Sequence, residues 1–181
     1  MPTSHFKQIP DIIEAAIEVN PSSILEVGIG CGKYGALLRE YLTVWDHYFE
    51  PFDMSNLRIV GIEVHPLYST SPAWSCYDKV LVSDIRELNL ESLGTFDMVL
   101  VVDVLEHFEQ PEGIALLNTL LDVAPVVLVG LPAEFFPTVE VWDNEHEIHK
   151  AAYPPELLRE HGFAVDVRRH DDALVMLVRR S

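Results

Sequence analysis

The sequence feature that most restricts the fold is an apolar segment that runs directly into a glycine-rich turn. Ile24–Val27 has the composition of a buried strand, and three glycines follow at alternate positions: Gly28, Gly30 and Gly32. In a doubly wound α/β sheet, this strand-to-helix turn lies at the crevice where ligands bind, and glycine lets the backbone approach a ligand closely. Three alternating glycines exceed what one tight turn needs, which favours a bound ligand.

Helical and strand patterns alternate along the chain, which predicts a parallel sheet with crossover helices. The predicted helices are Pro10–Val19, Lys33–Tyr41, Ile114–Val123 and a segment from about Pro154 to His161. The predicted strands are Ser23–Val27, Arg58–Glu63, Val80–Ser83, Phe96–Val102, Val126–Leu131, Phe163–Arg169 and Ala173–Arg179.

The connection between the last two strands, at His170–Asp172, is too short for a crossover helix, so these strands form an antiparallel hairpin. The expected fold class is therefore α/β: a Rossmann-like three-layer sandwich whose seven-stranded sheet has five parallel strands and a C-terminal antiparallel hairpin. With 181 residues, a single domain, 1–181, has to hold both cofactor and substrate. An aromatic connection between the second helix and the second strand has no assigned role; it contains Trp45, Tyr48, Phe49 and Phe52.

Charge and composition restrict the partners. The formal net charge of −17 repels phosphate backbones, so we expect no nucleic-acid partner. No apolar run is long enough to span a membrane, and no secretory signal is visible at Met1–Pro10, so we expect no membrane partner and a cytoplasmic location. The two cysteines, Cys31 and Cys76, are expected to be reduced thiols. The expected partner is a small-molecule substrate, and a homodimer is allowed for.

Glu26 distinguishes between the ligands that a glycine-rich turn can bind. Gly30, Gly32 and Gly35 also match the G-x-G-x-x-G pattern of dinucleotide sites. A carboxylate at the end of a strand otherwise fit for burial would repel a pyrophosphate, whereas it would attract a cationic ligand. S-adenosylmethionine carries an ammonium group and a sulfonium and no phosphate, so it suits this acid better than a nicotinamide dinucleotide does.

The segment Glu26–Gly32 resembles motif I of class I S-adenosylmethionine-dependent methyltransferases, in which an acid precedes alternating glycines. Glu63, at the end of the second predicted strand, matches the family's ribose-binding acid. Asp84 matches the acid that accepts from the adenine amino group, and the adjoining Ile85 is assigned to the same site. The resemblance thus implies S-adenosylmethionine as cofactor; its implied binding residues are Glu26, Gly28, Gly30, Gly32, Glu63, Asp84, Ile85 and Asp103.

The segment Phe96–Phe108 resembles the family's fourth strand, in which an acid and a Leu-Glu-His turn follow the strand. Asp103 leaves that strand at its carboxyl end and is expected to face the crevice. His107 lies four residues on, and two roles stay open for it: a proton acceptor or substrate ligand, or a histidine packed over the cofactor. The candidate catalytic residues are Asp103, His107 and His149.

A second acid and histidine cluster, 143–150, follows the fifth predicted strand. His146 and His149 lack the companion spacing of a recognised zinc helix, so no metal ligand is predicted. The stretch His149–Phe163 resembles the family segment in which a histidine and an aromatic residue precede a Pro-started helix.

The predicted function is S-adenosylmethionine-dependent methyl transfer to a small molecule, by in-line displacement at the sulfonium methyl. Two alternatives stay open. A small NAD-type oxidoreductase is supported by the overlapping glycine pattern and opposed by Glu26 and the terminal hairpin. A methyltransferase-like binding module without activity would use the acidic surface and the aromatic connection as its contact.

Overall fold

The computed structural model describes residues 3–44 and 53–181. The aromatic connection with Trp45, Tyr48, Phe49 and Phe52 lies outside the described residues. Among the described residues, no helix has both the length and the apolar character needed to cross a membrane.

Seven strands form one mixed sheet, in the order β3-β2-β1-β4-β5-β7-β6. The pairs β3-β2, β2-β1, β1-β4 and β4-β5 are parallel, and β5-β7 and β7-β6 are antiparallel. The fold class predicted from sequence is therefore confirmed. The bounds are β1 Ser23–Val27, β2 Arg58–Glu63, β3 Lys79–Val82, β4 Met98–Val102, β5 Val127–Pro132, β6 Phe163–His170 and β7 Ala173–Arg180.

Two helices pack on each face of the sheet, which produces the three layers. The bounds are α1 Ile9–Val19, α2 Lys33–Thr43, α3 Gln110–Val123 and α4 Pro155–Glu160. Side chains of α1 and α2 share one core cluster with Met98 and Leu100 of β4. Side chains of α3 and α4 share the other with Val99 and Val101, as expected for a strand whose successive side chains point to opposite faces.

The structure extends or shortens several predicted elements, and α3 differs most. It begins at Gln110, four residues before the apolar repeat that predicts it, because Pro111 is accommodated in its first turn after the extended Glu109. The connections β2–β3 and β3–β4 contain only short 3₁₀ turns within the described residues. The segments that follow β2 and β3 are therefore irregular chain with short turns rather than helices.

The turn after β1 has the geometry that its glycines predict. Gly28, Gly30 and Gly32 have φ angles of 71°, 50° and 82°, which are strained for residues with a side chain. At Gly28 a Cβ atom would lie 2.3 Å from Val104 Cγ2, so the turn after β1 and the turn after β4 are in direct contact. This contact fixes the two strand ends that frame the crevice.

Arg39, on α2, anchors the connection that leads into β3. Its guanidinium donates to the carbonyl oxygens of Cys76, Met54 and Leu57, and it pairs with Asp78 at 2.9 Å. The planar five-donor guanidinium suits this set of acceptors. Through Arg39 the segment that carries Tyr77 is fastened against α2, close to the glycine-rich turn.

Candidate functional site

A pocket opens at the carboxyl ends of β1, β2 and β4, where a doubly wound sheet binds its ligands. The glycine-rich turn forms one wall and the Asp103–Phe108 segment another. The predicted site residues that line the pocket are Glu26, Gly28, Gly30, Glu63, Asp84, Ile85, Asp103 and His107. Gly32 and His149 are not among the lining residues.

Glu26 ends β1 as a buried carboxyl group, with 3% of its surface exposed. The Tyr77 hydroxyl donates to its Oε2 atom at 2.8 Å. Desolvation by burial raises the pKa of Glu26 to about 8; the hydrogen bond from Tyr77 opposes the shift and the nearby Glu63 adds to it. A cation placed beside Glu26 would therefore replace a proton, which sets the charge preference of this end of the pocket.

Glu63 ends β2 and is held by two backbone amides. The Gly30 N–H donates to Oε2 at 2.7 Å, and the His65 N–H donates to Oε1 at 2.9 Å. Burial raises the pKa of Glu63 although both amides lower it. Each carboxylate oxygen can accept more than one hydrogen bond, so the fixed carboxylate can still accept from two ligand hydroxyls.

Asp84 follows β3, caps the short turn Ile85–Glu87 and forms an ion pair with Arg86. Its Oδ1 atom accepts from the Arg86 backbone N–H at 2.9 Å, and the Arg86 side chain reaches both carboxylate oxygens at 2.5 to 3.0 Å. The hydrogen bonds from Arg86 lower the pKa of Asp84. Ile85 is buried beside it, and Val64 and Phe108 add apolar surface to this end of the pocket.

Asp103 follows β4 with a φ of 52°, which residues other than glycine adopt only at an energetic cost. Its N–H donates to the Gly130 carbonyl at 2.8 Å, and Gln8 Nε2 donates to its Oδ2 atom at 3.1 Å. Desolvation raises the pKa of Asp103 to about 6, against the influence of Lys33 and Gln8. The neighbouring β5 and the segment before α1 therefore hold this side chain at the pocket wall.

The segment before α1 also covers part of the pocket. Thr3 and Ser4 line it. Lys33 donates to the Ser4 hydroxyl, and this hydroxyl lies 3.0 Å from the Tyr34 hydroxyl. Burial lowers the pKa of Lys33. The first turn of α2 thus ties this segment down over the glycine-rich turn.

The structure brings His107 and His149 together, with ring centroids 5.0 Å apart. His107 Nδ1 lies 3.2 Å from the Ile148 carbonyl oxygen, and His149 Nδ1 lies 3.0 Å from that of Phe136. Desolvation lowers the pKa of both rings, although these carbonyls oppose the shift. His107 lines the pocket, whereas His149 does not. Beyond the Asp103–His107 turn, the pocket wall is formed by Asn144, His146, Glu147 and Lys150.

Sequence reasoning missed Glu106, which is 3% exposed. Neither of its carboxylate oxygens has a hydrogen-bond partner within residues 3–44 and 53–181. Desolvation raises the pKa of Glu106 well above its ordinary value, and Asp103 adds to the shift. One potential ligand atom from each of Glu106, His107 and His149 lies within 4.8 Å of the others. From the sequence, His146 and His149 were the pair examined as metal ligands. In the structure, His149 instead lies close to Glu106 and His107.

Glu147 and Tyr68 were also missed. The Tyr68 hydroxyl donates to Glu147 Oε1 at 3.0 Å, and both side chains line the pocket. Tyr153, the aromatic residue of the segment His149–Phe163, is buried against Gly113 and donates to the carbonyls of Phe108 and Glu109. Tyr153 therefore supports the wall from behind and does not line the pocket.

No protein-family model matches the sequence, and no curated protein is significantly similar to it. Solved structures do match. An O-methyltransferase family protein from Burkholderia thailandensis has a TM-score of 0.64 at 13% identity, over 97% of this chain and 56% of that one. The N-terminal domain of EvdMO1, in the presence of SAH and D-fucose, has a TM-score of 0.65 at 17% identity, over 99% and 85%.

Magnesium protoporphyrin IX methyltransferase ChlM from Synechocystis PCC 6803, with bound SAM, has a TM-score of 0.61 at 14% identity, over 97% of this chain and 79% of that one. The chain thus spans little more than half of the Burkholderia protein and about four fifths of the other two. At these identities the similarity shows the fold. It is the class I methyltransferase fold, as the sequence resemblance predicted.

Proposed function

We propose that this protein is an S-adenosylmethionine-dependent methyltransferase that acts on a small molecule. The observation that carries the proposal is the grouping of four acids around one pocket. Glu26, Glu63, Asp84 and Asp103 end or follow β1, β2, β3 and β4, and all four line it. Two of the similar structures are of proteins with bound SAM or in the presence of SAH, which supports the same cofactor here.

The methionine end of the cofactor belongs at Glu26 and the glycine-rich turn. The ammonium group is a cation, and a cation beside Glu26 would stabilise the carboxylate in place of the proton that burial favours. The turn places backbone next to the pocket at Gly28 and Gly30. Glu63 would accept from the two ribose hydroxyls, and Asp84 with Ile85 would hold the adenine.

The reaction is an in-line displacement. A lone pair of the acceptor forms a bond to the methyl carbon while the carbon–sulfur bond breaks, and the sulfonium becomes a neutral thioether. A proton on the nucleophile leaves to a base or to water. Holding the nucleophile in line with the methyl group supplies much of the rate, so the protein needs to orient two molecules more than it needs a reactive side chain.

The acceptor would lie beyond the Asp103–His107 turn, against Asn144, His146, Glu147 and Lys150. The candidate catalytic residues at this end are Asp103 and His107, which line the pocket, and His149, which contacts the His107 ring. Because the protein has a formal net charge of −17, it would repel a polyanionic acceptor during approach, whereas it would not repel a neutral or cationic small molecule.

Isothermal titration with S-adenosylmethionine, its demethylated product and NAD⁺ tests the cofactor. We expect one molecule of either of the first two to bind per chain, and NAD⁺ not to bind. Turnover is then tested by following formation of the demethylated product with panels of small hydroxyl, amine and carboxyl compounds, with RNA and DNA as comparison substrates. Binding of NAD⁺ in place of S-adenosylmethionine would refute the proposal.

A further inference from the structure

We propose that Glu106, His107 and His149 bind one divalent transition-metal ion, of the class that includes Zn²⁺, at the acceptor end of the pocket. The three residues come from two segments far apart in the sequence. The backbone joins these segments: the N–H groups of Lys150 and Ala151 donate to the Glu106 carbonyl at 2.7 and 3.2 Å. The cluster is therefore part of the folded framework.

The protonation of the two imidazoles suits a metal. A backbone carbonyl only accepts hydrogen bonds, so Nδ1 of His107 and Nδ1 of His149 must be the protonated nitrogens. In a neutral imidazole the lone pair then lies on Nε2. Histidine ligands in metal sites commonly have this arrangement, in which the second ring nitrogen donates to a carbonyl and so fixes the orientation of the ring.

The carboxyl group of Glu106 also favours a bound cation, independently of the two imidazoles. A buried carboxyl group whose two oxygens lack a partner among the described residues costs several kcal/mol relative to one with partners. A cation in contact with this carboxylate would remove that cost. The acids Asp103 and Glu147 nearby repel the carboxylate, so they add to the need for a cation.

The distances require a small adjustment. Ligand atoms bonded to a tetrahedral ion at about 2.1 Å lie about 3.4 Å from one another, and the ligand atoms here lie within 4.8 Å. Side-chain movements of about 1 Å would close the site. Two imidazoles with one carboxylate favour Zn²⁺, Fe²⁺ or Co²⁺ over Mg²⁺, which prefers oxygen ligands.

Three protein ligands leave one coordination position open, as in catalytic metal sites. Because His107 lines the pocket, this position would face it. An acceptor oxygen could bind there next to the transferred methyl group, and this part of the inference rests on the proposed function. The sequence predicted no metal ligand, and this proposal replaces that prediction at the acceptor end of the pocket. Cofactor binding is still expected to be independent of metal.

Titration of chelator-treated protein with Co²⁺, followed by visible absorption, tests the site directly and without cofactor. We expect one Co²⁺ per chain, with the intense bands of a four- or five-coordinate ion, and displacement by one equivalent of Zn²⁺. Glu106→Gln and His149→Asn should each weaken binding at least tenfold. His161→Asn is the matched control, because His161 also directs Nδ1 to a carbonyl oxygen but is exposed, directly after the end of α4.

Wild-type protein that takes up no Co²⁺ would overturn the inference, and so would a loss of less than tenfold, relative to the control, in both cluster variants. The wild-type titration does not depend on how well the variants fold, so it tests the site even if a variant is destabilised. A titration of the same chelated protein with S-adenosylmethionine separates the two proposals. Cofactor binding without metal uptake would refute the metal site alone, and metal uptake without cofactor binding would refute the proposed function.

Discussion

The Tyr77 hydroxyl lies 2.8 Å from Glu26 Oε2 and 3.1 Å from the backbone nitrogen of Gly35. It accepts from Gly35 and donates to Glu26, so one side chain connects the start of α2, the end of β1 and the approach to β3. The ring occupies the space in which a Cβ atom at Gly35 would stand, 2.2 Å from Tyr77 Cζ. The third glycine of the G-x-G-x-x-G pattern is thus needed here for packing against a tyrosine.

Gly35→Ala should therefore destabilise the protein, although glycine to alanine within a helix ordinarily stabilises by about 1 kcal/mol. The clash involves the rigid ring of a buried residue, and overpacking of this kind costs about 1–3 kcal/mol. We expect a net loss in the free energy of unfolding, measured by chemical denaturation. Glu40→Ala, on the exposed face of the same helix, is the control and should change stability by less than about 0.5 kcal/mol. A Gly35→Ala protein more stable than wild type would contradict the packing role.

The stability of the unliganded protein should depend on pH through Glu26. The pKa of Glu26 is about 8 in the folded protein and near its ordinary value of 4.5 when unfolded. The folded state then binds the proton more tightly, so the contribution of Glu26 to stability is present below about pH 4.5 and is lost as the pH rises towards 8.

The Glu26→Gln variant has no carboxyl group to titrate at this position. Its free energy of unfolding relative to wild type should therefore rise between pH 5 and pH 8, by roughly 1 kcal/mol per pH unit. Denaturation curves of both proteins at three pH values measure the difference. Other acids with raised pKa values, such as Glu63 and Asp103, are present in both proteins and cancel. A difference that does not change with pH would show that Glu26 is not protonated in the folded protein.

Cofactor binding at pH 7 should release close to one proton. Glu26 is mostly protonated at that pH, and an ammonium group beside it favours the carboxylate. Titration calorimetry in two buffers with different ionisation enthalpies counts the released protons. Glu26→Gln should not release this proton, whereas Glu140→Gln, an exposed acid, should match wild type. Equal proton release from all three proteins would place the ammonium group elsewhere.

Glu63→Ala should weaken S-adenosylmethionine binding by about 1–3 kcal/mol, since it leaves two ribose hydroxyls without an acceptor. Calorimetric titration measures the change. Glu63 also holds Gly30 and His65, so thermal unfolding of the variant is measured in parallel, with Glu91→Ala as an exposed control. Unchanged affinity in a folded Glu63→Ala protein would remove the ribose assignment.

Local patterns in the sequence were sufficient for the framework and for one side of the pocket. β1 and β2 match the predicted bounds because each is an apolar run that ends in an acid or a glycine turn. Glu63 and Asp84 were assigned from the resemblance to the methyltransferase family, and the structure brings them together with Glu26 and Asp103 because the ends of parallel strands meet at one edge of the sheet.

Contacts between distant segments could not be predicted in this way. Tyr77 is 51 residues from Glu26 and follows no motif, so only the folded chain shows that it donates to this acid. Glu106 lay inside a recognised Leu-Glu-His turn, yet its backbone carbonyl accepts from Lys150 and Ala151, more than 40 positions away. The start of α3 was missed because Gln110 and its neighbours lack the apolar spacing of the rest of that helix.

The order of the last two strands affects how the sheet can be completed. β7 follows β6 in the chain but lies between β5 and β6, and β6 pairs with no strand except β7 within the described residues. The hairpin must therefore add to the β5 edge through its second strand. Because β6 reaches the sheet only through β7, a substitution that prevents residues 173–180 from pairing with β5 would detach both strands of the hairpin.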